Sequence, residues 1–159
     1  MRWATFGARL ALGAVFVAAA LGKLQTPASF TVAVAQYQLL PAAAIVPVAR
    51  TLPWLELMVG LYLVVGLFTR LAAAAALGLL AIFALAIILA LVRGLSLEGC
   101  GCFGSLGLTQ VPVLGWFLGG PDAGPQDLIR DAVLAGLALA LVRGPATPLG
   151  VDRLLFASA

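Results

Sequence analysis

The sequence predicts an all-α membrane protein: a four-transmembrane-helix antiparallel bundle with outer loops and a short interfacial helix. Three observations lead there. Of 159 residues, 64% are hydrophobic and 9% are charged, where a soluble domain carries roughly a quarter charged residues. The mean hydropathy is +1.16. The apolar residues gather into four runs, at 3–23, 52–68, 71–92 and 128–142. Each must be a helix, because lipid offers no partner to a strand edge. No internal repeat and no separate soluble stretch interrupts the pattern, so residues 1–159 read as one domain.

The elements follow in order. Run 3–23 has basic residues early, an apolar middle and the small residues Ala18-Ala19-Ala20. Those features also mark secretory signals. Its length matches the roughly 20 residues that cross the hydrocarbon, and it is read as a retained helix closed by Lys23. Residues 25–51 form a connection holding Pro27, Pro41 and Pro47. Within it Phe30, Ala33, Val34, Tyr37 and Leu40 recur at helical spacing, with Thr31, Gln36 and Gln38 between. That pattern suggests a short helix lying in the interface.

Run 52–68 opens with Pro53, a residue suited to the first helical position. Glu56 then falls in or just after the first turn, where the helix dipole favours a carboxylate. Run 71–92 has no charged residue. The second connection, 94–127, is rich in glycine and proline and includes Gly119-Gly120-Pro121. Connections of this length without regular pattern are usually functional or disordered. Run 128–142 is short and carries Arg130 and Asp131 near its start.

The formal net charge of +3 comes from bases at the ends of apolar runs. This is the pattern of topology signals and lipid-headgroup contacts, not of a nucleic-acid groove. Four crossings put Arg2, Arg9, Arg70, Arg143 and Arg153 on one side, and Lys23, Arg50, Arg93 and Arg130 on the other. Five bases against four favour cytoplasmic termini. The loop after run 71–92 then faces outside, where disulfides persist. There is no histidine, so the commonest metal ligand and proton shuttle is missing.

That loop holds Cys100 and Cys102, the chain's two cysteines, in Glu98-Gly99-Cys100-Gly101-Cys102-Phe103-Gly104. A disulfide spanning one residue meets preferred geometry only with backbone strain. Gly99, Gly101 and Gly104 supply permissive backbone. Strain raises the reduction potential and suits an exchangeable bond. So short a loop restricts the unfolded chain little, which argues against a structural staple. Arg93 precedes the pair and would favour the thiolate. Two other readings stand beside redox exchange: two unreactive cysteines at a helix end, and a Cu(I) or Hg(II) site of two soft sulfurs.

Lys23, Glu56, Arg130 and Asp131 all fall toward the same membrane face. Ionisable residues at membrane depth are costly and usually paired or functional. A polar cluster beneath the cysteine loop is expected, with Lys23–Glu56 as its central ion pair; snorkelling at helix ends is the plainer alternative. Trp3, Trp54, Tyr62, Phe103 and Trp116 suit an aromatic belt. A sharper reading makes Trp54, Phe103 and Trp116 the walls of a pocket for a flat, apolar redox ligand such as a quinone.

Taken together, these residues resemble the MauE proteins of methylamine utilisation, a branch of the broader DoxX-like membrane family. The resemblance is carried by Gly22-Lys23-Leu24, by Ser29-Phe30 through Tyr37-Gln38-Leu39-Leu40-Pro41, and by Leu52-Pro53-Trp54-Leu55-Glu56-Leu57 with Gly60-Leu61. It continues through Gly66-Leu67, Arg70, Arg93-Gly94 and Cys100-Gly101-Cys102-Phe103-Gly104 to Arg130-Asp131. It implies a four-helix protein of the bacterial cytoplasmic membrane that helps to mature disulfide-bearing exported proteins. The family's named case is linked to the small subunit of methylamine dehydrogenase and to a thioredoxin-like partner.

The expectation is therefore a membrane thiol–disulfide oxidoreductase. Cys100 and Cys102 would exchange a disulfide with a thioredoxin-like periplasmic or exported partner. Lys23, Glu56 and Arg93 would tune the thiolate and handle protons, and Trp54, Phe103, Trp116 and Arg130 would hold the redox ligand. The chain lacks the second cysteine pair that a thiol-only relay needs, so electrons must reach a quinone, a second protein or another copy in a homo-oligomer. A thiophilic-metal carrier and a non-catalytic anchor for a thioredoxin-like partner are the alternatives.

Overall fold

Residues 71–92 contain neither a charge nor a proline, so nothing in them breaks a helix or favours water. In the computed structural model, which describes residues 2–95 and 125–144, they lie within a helix of 24 residues. The described residues form α1 (Arg2–Gln25), α2 (Pro27–Gln36), α3 (Ala42–Val65), α4 (Thr69–Val92) and α5 (Pro125–Arg143). No strand occurs among them. At 1.5 Å per residue, a 24-residue helix is about 36 Å long, enough for a hydrocarbon core of about 30 Å. Three stretches, Trp3–Gln25, Ala42–Val65 and Thr69–Val92, are long and apolar enough to cross a membrane. The expected fourth crossing falls inside α5, where Asp127, Arg130 and Asp131 crowd the first two turns.

The second expected span needs correction. Its helix starts at Ala42, not at residue 52, and ends at Val65. Pro47 and Pro53 lie inside this helix. A proline removes one backbone donor and frees a carbonyl a turn earlier. The carbonyls freed are those of Ala43 and Ala49, and between the two prolines the Thr51 hydroxyl donates to the Pro47 carbonyl at 2.9 Å, a back-bond that often bends a helix. Glu56 therefore sits well inside α3, and the helix dipole does not account for it. Gly66, at φ 76°, ends α3, with its N–H and that of Leu67 both donating to the Tyr62 carbonyl. Such a left-handed residue is natural for glycine. The short helix expected after α1 is present as α2, with Pro27 at its start and Phe30 and Ala33 buried.

α1 lies along α3 and α4 along α5, and contacts of α3 with α4 and of α1 with α5 join the two pairs. α2 rests on α3. Leu12, Phe16 and Leu63 meet Ala72, Ala73, Ala76 and Leu80 of α4 and Leu134, Ala138 and Leu141 of α5. The alanines let helices approach closely where large side chains from opposite helices fill the space. Large apolar residues such as Leu71, Ile82, Leu85 and Val92 are exposed, as expected for a surface facing lipid.

α1 and α3 approach closely at two glycines. A Cβ on Gly60 would lie 2.9 Å from both the Val17 backbone nitrogen and its Cγ2, and one on Gly13 would lie 3.0 Å from the Gly60 carbonyl. Gly78 has nothing within 4 Å. Gly60→Ala is therefore expected to lower stability by about 1–3 kcal/mol through overpacking. Gly78→Ala should raise it by up to about 1 kcal/mol through helix propensity. Thermal unfolding in detergent checks the opposite signs.

Candidate functional site

Lys23 lies in the last turn of α1 and Glu56 within α3, and both are 1% exposed. The Lys23 ammonium donates to Glu56 Oε1 in a direct ion pair. This is the pair anticipated from sequence. Two rings enclose the ammonium further: its Nζ is 5.2 Å from the Phe30 ring centre and 4.9 Å from that of Phe83. Ring faces attract a cation most strongly where water is excluded. Lys23 is thus held by a carboxylate from α3, a ring from α2 and a ring from α4.

α5 supplies the second half of the cluster. Arg130 Nη1 lies 3.0 Å from Asp127 Oδ1, and its Nη2 lies 3.2 Å from Asp131 Oδ1. All three residues are buried. The spacing Asp127-x-x-Arg130 puts acid and base on one helical face, a signal readable in the sequence. Glu56 Oε2 and Asp131 Oδ2 are buried without a hydrogen-bond partner among the described residues. Three helices therefore place Lys23, Glu56, Asp127, Arg130 and Asp131 together, and among the described residues the other buried polar groups are Arg9 and Thr69.

Two cavities adjoin this cluster. The larger, of about 440 Å³, is walled by Phe30, Val34 and Tyr37 at α2, by Val48 and Leu52 of α3, and by the Ile82–Leu89 part of α4, with Lys23, Arg130 and Asp131 as its charged lining. Its volume lies in the range of small-molecule sites, and its few converging polar groups on apolar walls are their usual make-up. The smaller, of about 30 Å³, is lined by Lys23, Glu56, Arg130 and Asp131 among apolar neighbours. Lys23, Phe83, Arg130 and Asp131 line both.

Sequence reasoning and structure part company on the aromatics. Trp54 is 58% exposed and lines neither cavity. Its neighbour two positions on, Glu56, points inward, so the outward position is fixed by the helical period. The rings at the cavity are Phe30, Tyr37 and Phe83 instead. Of these, Phe30 and Tyr37 were legible as the apolar side of a short helix, and Phe83 was hidden in a uniformly apolar run. Arg130 does line the cavity. Arg93 is exposed and donates from Nη1 to the Gln38 carbonyl at 3.2 Å, tying the end of α4 to the turn after α2. Gln38 holds a left-handed φ of 50°. Arg9, buried in the first half of α1 with its guanidinium 5.1 Å from the Phe6 ring centre, was read from sequence only as a topology charge. Cys100, Cys102, Phe103 and Trp116 lie outside the described residues.

The family model for methylamine utilisation protein MauE matches residues 1–144. The chain belongs to the MauE family. The match takes in all five helices, the charged cluster, the cavities and the Cys100-Gly101-Cys102 motif. The three apolar helices agree with a membrane protein. Neither curated proteins nor solved structures give a match.

The ion pair of this MauE-family chain has a measurable signature. Breaking a buried pair strands a charge and costs about 3–5 kcal/mol, whereas replacing both partners with apolar groups is often neutral. Lys23→Met is expected to destabilise by that amount, and the Lys23→Met, Glu56→Met double variant by clearly less. Thermal unfolding of the singles and the double in detergent measures it.

Proposed function

We propose that this chain is a membrane thiol–disulfide oxidoreductase whose cysteine pair exchanges electrons with a quinone in the 440 Å³ cavity. The observation that carries this reading is the cavity itself: apolar walls and aromatic rings converge on the donors Lys23 and Arg130. A quinone head is flat and apolar, and its two carbonyl oxygens accept hydrogen bonds. An ammonium and a guanidinium supply donors and no acceptor. The donor set and the volume therefore fit such a ligand.

Chain connectivity supports the link to the thiols. α4 ends and α5 begins beside the cavity, since Ile87 and Leu89 near one terminus and Arg130 and Asp131 near the other all line it. Cys100 stands five positions beyond Leu95, the last described residue after α4, a contour of at most about 18 Å. In the proposed mechanism a thiolate of a thioredoxin-like or exported partner attacks the Cys100–Cys102 disulfide to form a mixed disulfide, and a second partner thiolate displaces it, which leaves the partner oxidised and the pair as a dithiol. Dithiol and quinone then become disulfide and quinol, with two electrons and two protons crossing. Arginine placement favours an extracytoplasmic cysteine loop and cytoplasmic termini. Family membership is consistent with a role in methylamine utilisation, where the partner would be an exported protein that needs its disulfides set.

Cys102→Ser is expected to trap a mixed disulfide on Cys100, or the reciprocal variant on Cys102, recoverable under non-reducing conditions. Leu52→Trp and Ala86→Phe, which fill the cavity, should slow quinone-dependent reoxidation of the pair at least tenfold and leave trapping intact. Undiminished reoxidation in both cavity variants rejects the quinone route. Full function in a chain lacking both cysteines reduces it to an anchor.

A further inference from the structure

Counting charge around the smaller cavity gives an imbalance. Lys23 from α1 and Arg130 from α5 bring two positive charges; Glu56 from α3 and Asp127 and Asp131 from α5 bring three negative ones. α4 faces the cavity with Leu80 and Phe83, and α2 brings the neutral Tyr37 to the larger cavity next door. One carboxylate is thus uncompensated among the described residues. The two carboxylate oxygens without partners are Glu56 Oε2 and Asp131 Oδ2, on residues 1% and 4% exposed that both line this cavity. A buried, unpaired ionised oxygen is costly, and removing it from charge balance requires a cation. Lys23 and Arg130 already line the space, so a metal ion would meet two positive charges, whereas a proton bonded to one oxygen cancels the excess without needing room. The 30 Å³ of space is enough for one water, which needs at least two polar partners.

We propose that Glu56 and Asp131 hold a single proton between them, relayed by one water in the 30 Å³ cavity, and that this pair is the proton donor to the ligand of the larger cavity. The second clause rests on the quinone reading; the first does not. Of the residues that line both spaces, Asp131 is the acid. The redox step balances. Two thiols lose two electrons and two protons as one S–S bond forms. Two electrons and two protons are gained at the quinone oxygens, one proton from the Glu56–Asp131 pair and one from solvent. One thiol proton refills the pair and the other is released to solvent.

Infrared spectroscopy of the full-length protein, purified without quinone in lipid nanodiscs, tests this. The expected result at neutral pH is a carbonyl band of one protonated carboxyl that shifts in D2O. It should vanish in Glu56→Gln and also in Asp131→Asn, because removing either acid leaves two acids against two bases and the survivor ionises. Retention of the band in both variants, or its absence from the wild type across the neutral range, overturns the proposal. If Glu56→Gln does not fold, Asp131→Asn and the wild-type pH series decide alone. Adding a quinone whose binding is shown independently should perturb the band. An unmoved band with quinone bound rejects the donor role, while a perturbed band supports it. A band present in a protein that binds no quinone rejects the functional reading above and supports the shared proton.

Discussion

The cavity-bearing end of this molecule depends on burying Lys23 against Glu56. The two residues come from helices separated by the short helix α2 and its turns, and their contact fixes the register of α1 on α3 in an interior with little other polar chemistry. Apolar packing alone specifies such a register weakly, since small and aliphatic side chains slide past one another at low cost. Two features make the pairing definite here. The Gly13–Gly60 crossing brings the backbones close enough that the helices cannot shift without a clash. The rings of Phe30 and Phe83 then close on the ammonium from α2 and α4. One lysine thereby touches groups from three other helices, and the cavity beside it inherits its shape from them.

Much of this was readable in the chain, and the misreadings have physical reasons. α1 and α4 follow from unbroken apolar runs. The Lys23–Glu56 pair follows from the cost of charge at membrane depth. Pro53 misled because proline at a helix start and proline within an apolar helix look alike locally. The distinction depends on how the helix packs against its neighbours and on whether freed backbone groups find partners, which the local sequence does not carry. Once α3 extends back to Ala42, Glu56 is an interior residue and Trp54 faces outward. Phe83 was invisible as a site residue because its run is apolar on every face, so periodicity carries no orientation there. The acid–base spacing of Asp127 and Arg130 was visible, but its depth depends on how α5 packs on α4.

The topology gathers the chemistry at one end. The last turn of α1, one side of α2 with the turn after it, Val48 and Leu52 of α3, the second half of α4 and the first turns of α5 all border the larger cavity. The segment bearing the cysteines leaves from one of these termini and returns to another. Arg93 fastens the α4 end to the turn after α2, so the wall formed by α2 is tied to the point from which the cysteine segment departs. At the opposite end, Arg70 donates to the Gly144 carbonyl at 3.3 Å, a surface contact joining the start of α4 to the end of α5.

Stability alone does not account for the charges at the cavity-bearing end. A buried ion pair is weak evidence for stability, because apolar residues of similar volume often serve as well. Among the described residues a third acid exceeds the two bases of the cluster, and two carboxylate oxygens lack partners, an arrangement that adds cost with no packing gain. The proposed dithiol–quinone reaction would give that cost a use. It would move protons through a largely apolar interior in a chain with no histidine, so buried carboxyl groups would be the natural carriers. In the proposed reaction the surplus carboxylate would take up and give back the proton, a change of one unit of charge beside two fixed cations. Those two cations would stay in place as donors to the ligand. The fixed bases would then orient and the surplus acid would move the proton, so one cluster would separate two tasks that a single charged group could not perform together.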